Sequence, residues 1–216
     1  LGDIPTINVT EGCAHGCAYC YTQGYSGHPG PGRVVLFDNI RDLVREELAR
    51  KRKRPRLVYF SPSGDAFQPL PDVKQVTYDT MATLLSAGVE VAFLTKGLVE
   101  ERVLSLFAAS PSKVFAQVGI TTLDEGLALA LEPGAAAPAQ RLRVAERLIR
   151  KAVATAARLD PLIPAVTDTE SNLRPLLAAL RDCGIRTIAA SYLFLRPAFA
   201  RKLCAQLHQV AGDALS

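Results

Sequence analysis

Asn8-Val-Thr-Glu-Gly-Cys13-Ala-His-Gly-Cys17-Ala-Tyr-Cys20-Tyr21 is the stretch from which the rest of the chain is read. It places three cysteines within eight residues, spaced C-x3-C-x2-C, directly after a short β-type run from Ile7 to Thr10. Thiolates suit soft metals and iron–sulfur clusters. Spacings of three and two put the sulfurs on one loop, where each can meet a different iron of one cubane. A [4Fe–4S] cube then keeps one iron without a protein ligand, a corner that a small molecule can chelate. A disulfide framework is the poorer reading, because five cysteines is an odd number and nothing marks a secreted, cysteine-dense scaffold. Zinc would need a fourth ligand, which His15 or His28 could supply, but structural zinc uses separated ligand pairs. His15 reads as a loop residue beside the ligands.

With 216 residues, 49% of them apolar, the chain can bury a core and reads as a single domain over 1–216. No apolar run reaches the roughly eighteen residues that a bilayer-spanning helix needs. There is no signal peptide, and a chain that begins at Leu reads as a processed or trimmed core. Reduced thiols and an oxygen-sensitive cluster predict a cytoplasmic protein. The net charge of +4, from 25 basic and 21 acidic residues, is too mild to identify a nucleic-acid partner. The run Arg50-Lys-Arg-Lys-Arg-Pro-Arg56 could contact phosphates. It falls at a helix C-terminus, however, where the macrodipole favours cations, and it reads as a solvated helix end.

Apolar periodicity lays out the rest. Helical spacing runs through Ile40, Leu43, Val44 and Leu48, then through Met81, Leu84 and Leu85 up to Gly88. It returns at Val103, Leu104 and Phe107, at Leu142, Ala145, Leu148 and Ile149, and at Leu173, Leu176, Leu177 and Leu180 before Gly184. A last stripe is Phe199, Leu203, Leu207 and Val210. Strands are predicted at Ile7 to Thr10, Leu57 to Phe60, Val89 to Leu94, Val114 to Ile120, Val153 to Leu159 and Ile185 to Leu193. Six strands alternating with helices predict an α/β fold, a partial (β/α)6 barrel of parallel strands with helices outside. Chemistry in such folds gathers where strands end. That rule selects Ser61, Ser63, Gly64 and Asp65, then Thr95 and Lys96, then Gln117, Thr121 and Thr122, then Thr155, Arg158 and Asp160, and finally Ser191, Tyr192 and Arg196.

The cysteine spacing, with Tyr19 just before the third cysteine, resembles the cluster loop of radical S-adenosylmethionine (SAM) enzymes. The resemblance implies a [4Fe–4S] cluster on Cys13, Cys17 and Cys20, with SAM chelating the free iron and split by one electron to a 5′-deoxyadenosyl radical. It also implies an electron donor such as a flavodoxin or ferredoxin. Gly64-Asp65 stands where the family carries a Gly-Glu segment that meets the SAM amino group. Lys96 is expected to neutralise the SAM carboxylate, and Tyr19, Thr121 and Arg158 to border the cofactor. Arg158, set among apolar residues, is as readily a structural ion pair.

Ser61-Pro-Ser-Gly-Asp-Ala-Phe-Gln-Pro69, Thr95-Lys96, Thr121 to Pro133 with Pro138-Ala-Gln-Arg141, and Asp160 to Pro164 narrow the likeness to the spore photoproduct lyase-like branch. The true lyases of that branch act on thymine dimers in spore DNA. They carry a hydrogen-donating cysteine after the second strand, where this chain has Ser61 and Ser63. Cys183 and Cys204 read as small buried apolar residues. The substrate is left open by the sequence, with a nucleic acid among the candidates and no membrane partner expected. A rival reading is a metal-stabilised nucleic-acid-binding module without turnover.

Overall fold

Short apolar runs closed by Gly, Pro or Ser form the strands, and the 3.6-periodic stretches between them form helices, in a computed structural model that describes residues 4–194, 200–201 and 204–205. The chain opens with β1 (Thr6–Ile7), β2 (Thr10–Glu11) and β3 (Val35–Leu36), followed by α1 (Ile40–Arg50) and β4 (Leu57–Phe60). Next come α2 (Pro71–Ser86), β5 (Glu90–Thr95), α3 (Glu101–Ala108) and β6 (Val114–Gly119). Then follow α4 (Glu125–Leu131), α5 (Pro138–Arg150), β7 (Ala154–Leu162), α6 (Glu170–Asp182) and β8 (Ile188–Tyr192).

The main sheet has the order β1-β4-β5-β6-β7-β8, with every pair parallel. Strands laid down in sequence order with right-handed crossovers put all the connecting helices on one face. That face carries the core: Val58, Phe60, Val91, Phe93, Val114, Ala116 and Val118 pack against Met81, Leu84, Leu104, Phe107, Ala145 and Leu148. The alternate residues Tyr59, Leu94, Gln117 and Arg158 lie on the other face and are only half-buried. This is the predicted α/β architecture, a six-stranded sheet of parallel strands with helices outside it.

Helix ends follow the local chemistry. Pro71 opens α2, and Gly88 (φ +82°) and Gly184 (φ +98°) take the left-handed conformation just beyond α2 and α6. Asp124 and Thr169 cap α4 and α6 by accepting from the backbone N–H of Leu127 and Asn172.

Several boundaries differ from the sequence reading. The predicted first strand breaks at Asn8, whose side chain accepts from the Ser63 N–H (3.1 Å). Residues beyond the break pair antiparallel with β3. The strand predicted to end at Leu159 continues to Leu162. The one predicted from Ile185 starts at Ile188, because Ile185 is buried at the end of α6, its N–H bonded to the Leu180 carbonyl. Helix α4 escaped detection, since seven residues containing Gly126 are too short to show a period. Thr155 lies near the start of β7, not its end. Arg196 and the helix expected over Phe199, Leu203, Leu207 and Val210 fall at or across positions outside the described residues.

Candidate active site

The antiparallel pair β2–β3 closes the base of a long excursion that carries the cysteines. The loop leaves the sheet beyond the end of β1 and is tied down by its backbone. Ala14 N–H donates to the Gln68 side chain (2.8 Å), Ala18 N–H to the Leu131 carbonyl (2.8 Å), and Gly134 N–H to the His15 carbonyl (2.8 Å). Gln68 is fully buried and donates in turn to Thr10 Oγ1 and the Asp65 carbonyl. A side chain on Gly134 would run into the Ala14 carbonyl oxygen, so only glycine lets the α4–α5 connection lie this close to the cysteine loop.

Asp65 is the second anchor. Its carboxylate accepts from the backbone N–H of Phe67 (2.7 Å) and Lys96 (2.7 Å) and from the Thr95 hydroxyl (2.8 Å). His15 Nε2 stands 3.0 Å from Asp65 Oδ2 as an ion-pair contact, off the line of a hydrogen bond. His15 Nδ1 donates to the Gly134 carbonyl (2.9 Å). Burial favours the neutral acid at Asp65, but His15 and the backbone donors outweigh it and hold the carboxyl below its ordinary value. At His15 burial opposes the charge, and Asp65 with the Gly134 carbonyl more than offsets it, so the imidazole is raised.

The third anchor is a buried charge cluster. Glu132 receives the Tyr19 hydroxyl, the Arg141 guanidinium and, at 3.4 Å, the Lys96 ammonium. Lys96 Nζ also donates to the Tyr19 oxygen at 2.8 Å. Arg141 is 2% exposed and donates to the carbonyls of Gly119 and Ala136. Burial would raise Glu132, but Lys96 and Arg141 hold it below the usual carboxylate range. Lys96 is raised: burial disfavours its charge, while Cys17 and Glu132 favour it more.

The three cysteines are half-buried and unbridged. Burial pushes Cys17 up to about 12 and raises Cys13 further, with Asp65 adding to the effect on Cys13. Each of these thiols also feels Cys20, and Cys13 feels Cys17, so the sulfurs share one neighbourhood. Among the described residues no three His, Cys, Asp or Glu side chains converge as a single ion requires. Three thiol donors on one loop are, by their chemistry, a donor set that fits an iron–sulfur cluster. Cys20 Sγ lies 3.0 Å from Thr22 Oγ1, and Gln23 donates to the Cys17 carbonyl.

The other strand-end residues divide in two. Thr121 is 2% exposed, and its carbonyl accepts from Asn172 (2.9 Å). The Thr122 hydroxyl accepts from Asp124 N–H at the start of α4. On the helix-free face Arg158 pairs with Asp160 (2.7 Å), one of the two readings its position left open, and Tyr59 and Arg158 both reach Gln117 (3.4 and 3.5 Å). Gly64 lies under Thr10 and Gly12, where a side chain would be crowded at 3.2 Å. The thiols outside the loop correct the sequence reading: Cys183 is half-buried at the end of α6 and Cys204 is exposed. Glu132 and Arg141 were visible only as members of a motif. Their pairing is closed across nine positions and two helices, a contact that no local spacing shows.

Known proteins are similar to this chain in sequence and in fold. An uncharacterized protein of Mycobacterium tuberculosis is 26% identical over 200 residues, covering 88% of this chain and 59% of its own length. An uncharacterized protein of the Acidianus two-tailed virus is 24% identical over 216 residues, with 91% of this chain and 69% of that one aligned. The chain therefore spans 59% of the length of the mycobacterial relatives it matches. Among solved structures, a spore photoproduct lyase mutant with bound AdoMet and dinucleoside spore photoproduct superposes with a TM-score of 0.67 at 15% identity, over 96% of this chain and 62% of that one. Streptococcus suis SuiB bound to S-adenosylmethionine does so at 0.59 and 13%, over 95% and 44%. These likenesses show the fold. The model of the radical SAM superfamily matches residues 7–174, and the chain belongs to that superfamily.

Proposed function

We propose that this chain is a radical SAM enzyme whose Cys13, Cys17 and Cys20 hold a [4Fe–4S] cluster. The observation that carries the reading is the cysteine loop itself. Three unbridged thiols sit on one loop that is fastened at the ends of the strands, within a stretch matched by the family. When bound, the cluster and SAM supply reductive cleavage to a 5′-deoxyadenosyl radical that abstracts hydrogen from the substrate.

The chain's own residues fix the place of that chemistry. Asp65, with both oxygens taken by protein donors, holds the loop after β4 against the loop after β5. Gly64, stripped of a side chain, offers backbone to the SAM ammonium, and Lys96, Thr121, Tyr19 and Arg158 complete the border of the cofactor. A flavodoxin- or ferredoxin-type protein supplies the electron. The loop after β4 bears Ser61 and Ser63, whose O–H bonds are too strong to return hydrogen to a carbon radical. Cys183 lies at the far end of α6. Neither position therefore supports thiol-dependent lesion repair, and the substrate stays open.

The test is anaerobic reconstitution. About four irons and four sulfides per chain, and 5′-deoxyadenosine from SAM after reduction, are the expected result. A zinc-loaded chain, or a fully loaded cluster that leaves SAM intact, would overturn the reading in favour of a binding module.

A further inference from the structure

The segment Leu131–Arg141 runs from the last residue of α4 through the connection into the start of α5, and the sequence singled it out without giving it a task. In the structure its first part, Leu131 to Gly134, lies against the cysteine loop, and Ala136 N–H donates to the Lys96 carbonyl. Leu131 and Gly134 hold the loop backbone at Ala18 and His15. Between them, Glu132 takes the hydroxyl of Tyr19, the residue next to Cys20. The Glu132 and Arg141 side chains are 1% and 2% exposed, and that of Lys96 is 13% exposed. Two cations face one carboxylate, which leaves a single positive charge buried beside the loop. Lys96 and Glu132 both act on Cys17 electrostatically, with opposite sign.

Such an arrangement is costly as mere architecture. Buried ion pairs seldom add net stability, since desolvation consumes most of the attraction. A hydrophobic pair of the same volume would pack against the Tyr19 ring, and a single neutral acceptor would satisfy its hydroxyl. What a hydrophobic pair could not do is set the potential at the sulfurs. Net charge and burial around a cluster are the levers by which a protein tunes its redox midpoint.

We propose that Glu132 is a positioning residue for the cluster loop and that Glu132, Lys96 and Arg141 together set the reduction potential of the cluster held there. This rests on the cluster reading above. Glu132 fixes Tyr19, and through it the third ligand, while the surplus positive charge stabilises the reduced, more negative cluster. A purely structural brace would shift the midpoint in no particular direction when its members are changed. A tuning device shifts it with the sign of the charge removed.

The experiment is a redox titration, followed by electron paramagnetic resonance, of the reconstituted wild type, Glu132→Gln and Lys96→Met. Glu132→Gln should favour reduction by about tenfold at fixed poise, the scale of one buried unit charge, or about 59 mV for one electron. Lys96→Met should disfavour it by a similar factor. Opposite shifts support the inference. A loaded wild type with unchanged midpoints in both variants, or with both moved the same way, overturns it while leaving the cluster reading intact. A wild type that takes up no iron and sulfide overturns the cluster reading instead. Should circular dichroism show one variant unfolded, the other decides alone: its stated shift supports the inference, and none or the reverse overturns it.

Discussion

At Cys13 and Cys17, burial and ligation pull in opposite directions. A buried thiol keeps its proton, yet a metal-bound sulfur must lose it. Cluster assembly therefore releases protons, and occupancy after reconstitution should rise with pH between about 6.5 and 8.5, read from visible absorbance and iron content. Cys17→Ala should abolish that absorbance, and its retention would remove Cys17 from the ligand set. The Asp65–His15 pair makes a different prediction for the cluster-free chain. A depressed carboxyl contributes stability above its ordinary value near 3.8, lost as pH falls through the lower folded value. A raised imidazole contributes below its ordinary value of 6.5, lost as pH rises through the higher folded value. The pair is thus strongest between those two ordinary values. Asp65→Asn should cost roughly 3–5 kcal/mol there, because it leaves a buried partner uncompensated and sets an amide against two N–H donors. Thermal melts from pH 3 to 8 check this: the gap between wild type and variant should narrow toward the acid end.

The elements that matter most are connections. The α4–α5 segment and the loops after β4 and β5 form one hydrogen-bonded cradle under the cysteines. Its closeness depends on glycine. Gly134→Ala would push the segment off Ala14 and His15, an overpacking change worth roughly 1–3 kcal/mol. For a domain of this length each kcal/mol lowers Tm by about 2–4 °C. The same variant should load less cluster than wild type at equal iron, since the ties at Ala18 and His15 are strained together. Normal loading with a normal Tm would show that the close approach is dispensable.

Across the whole molecule the two ends of the barrel have different tasks. The cysteine loop, Asp65 and Lys96 lie beyond the strand ends, whereas Arg50 to Arg56 joins the end of α1 to the start of β4. Its side chains are largely exposed and make solvent-side pairs such as Arg50–Glu46 and Lys51–Glu47. Replacing Lys51, Arg52 and Lys53 together with Gln should leave cluster content and SAM cleavage unchanged, and cost less than about 1 kcal/mol. Loss of SAM cleavage in that variant would place the basic run in the catalytic end. No helix among the described residues is long and apolar enough to cross a membrane.

The sequence by itself determined the strand and helix alternation and the trio of cysteines, because both are local: periodicities of 2 and 3.6, and sulfurs a few residues apart. It left Arg158 open between a cofactor contact and an ion pair, and the structure pairs it with Asp160. Only the tertiary structure decided what holds the loop. Asp65 turned inward to His15, Thr95 and Lys96, and Glu132 came to rest between Tyr19, Lys96 and Arg141. Those partners lie between 30 and 113 positions away, apart from Arg141. The physical reason is that a buried charge is satisfied in space, by whatever donors the packed strands and helices bring to it, and sequence spacing carries no trace of that.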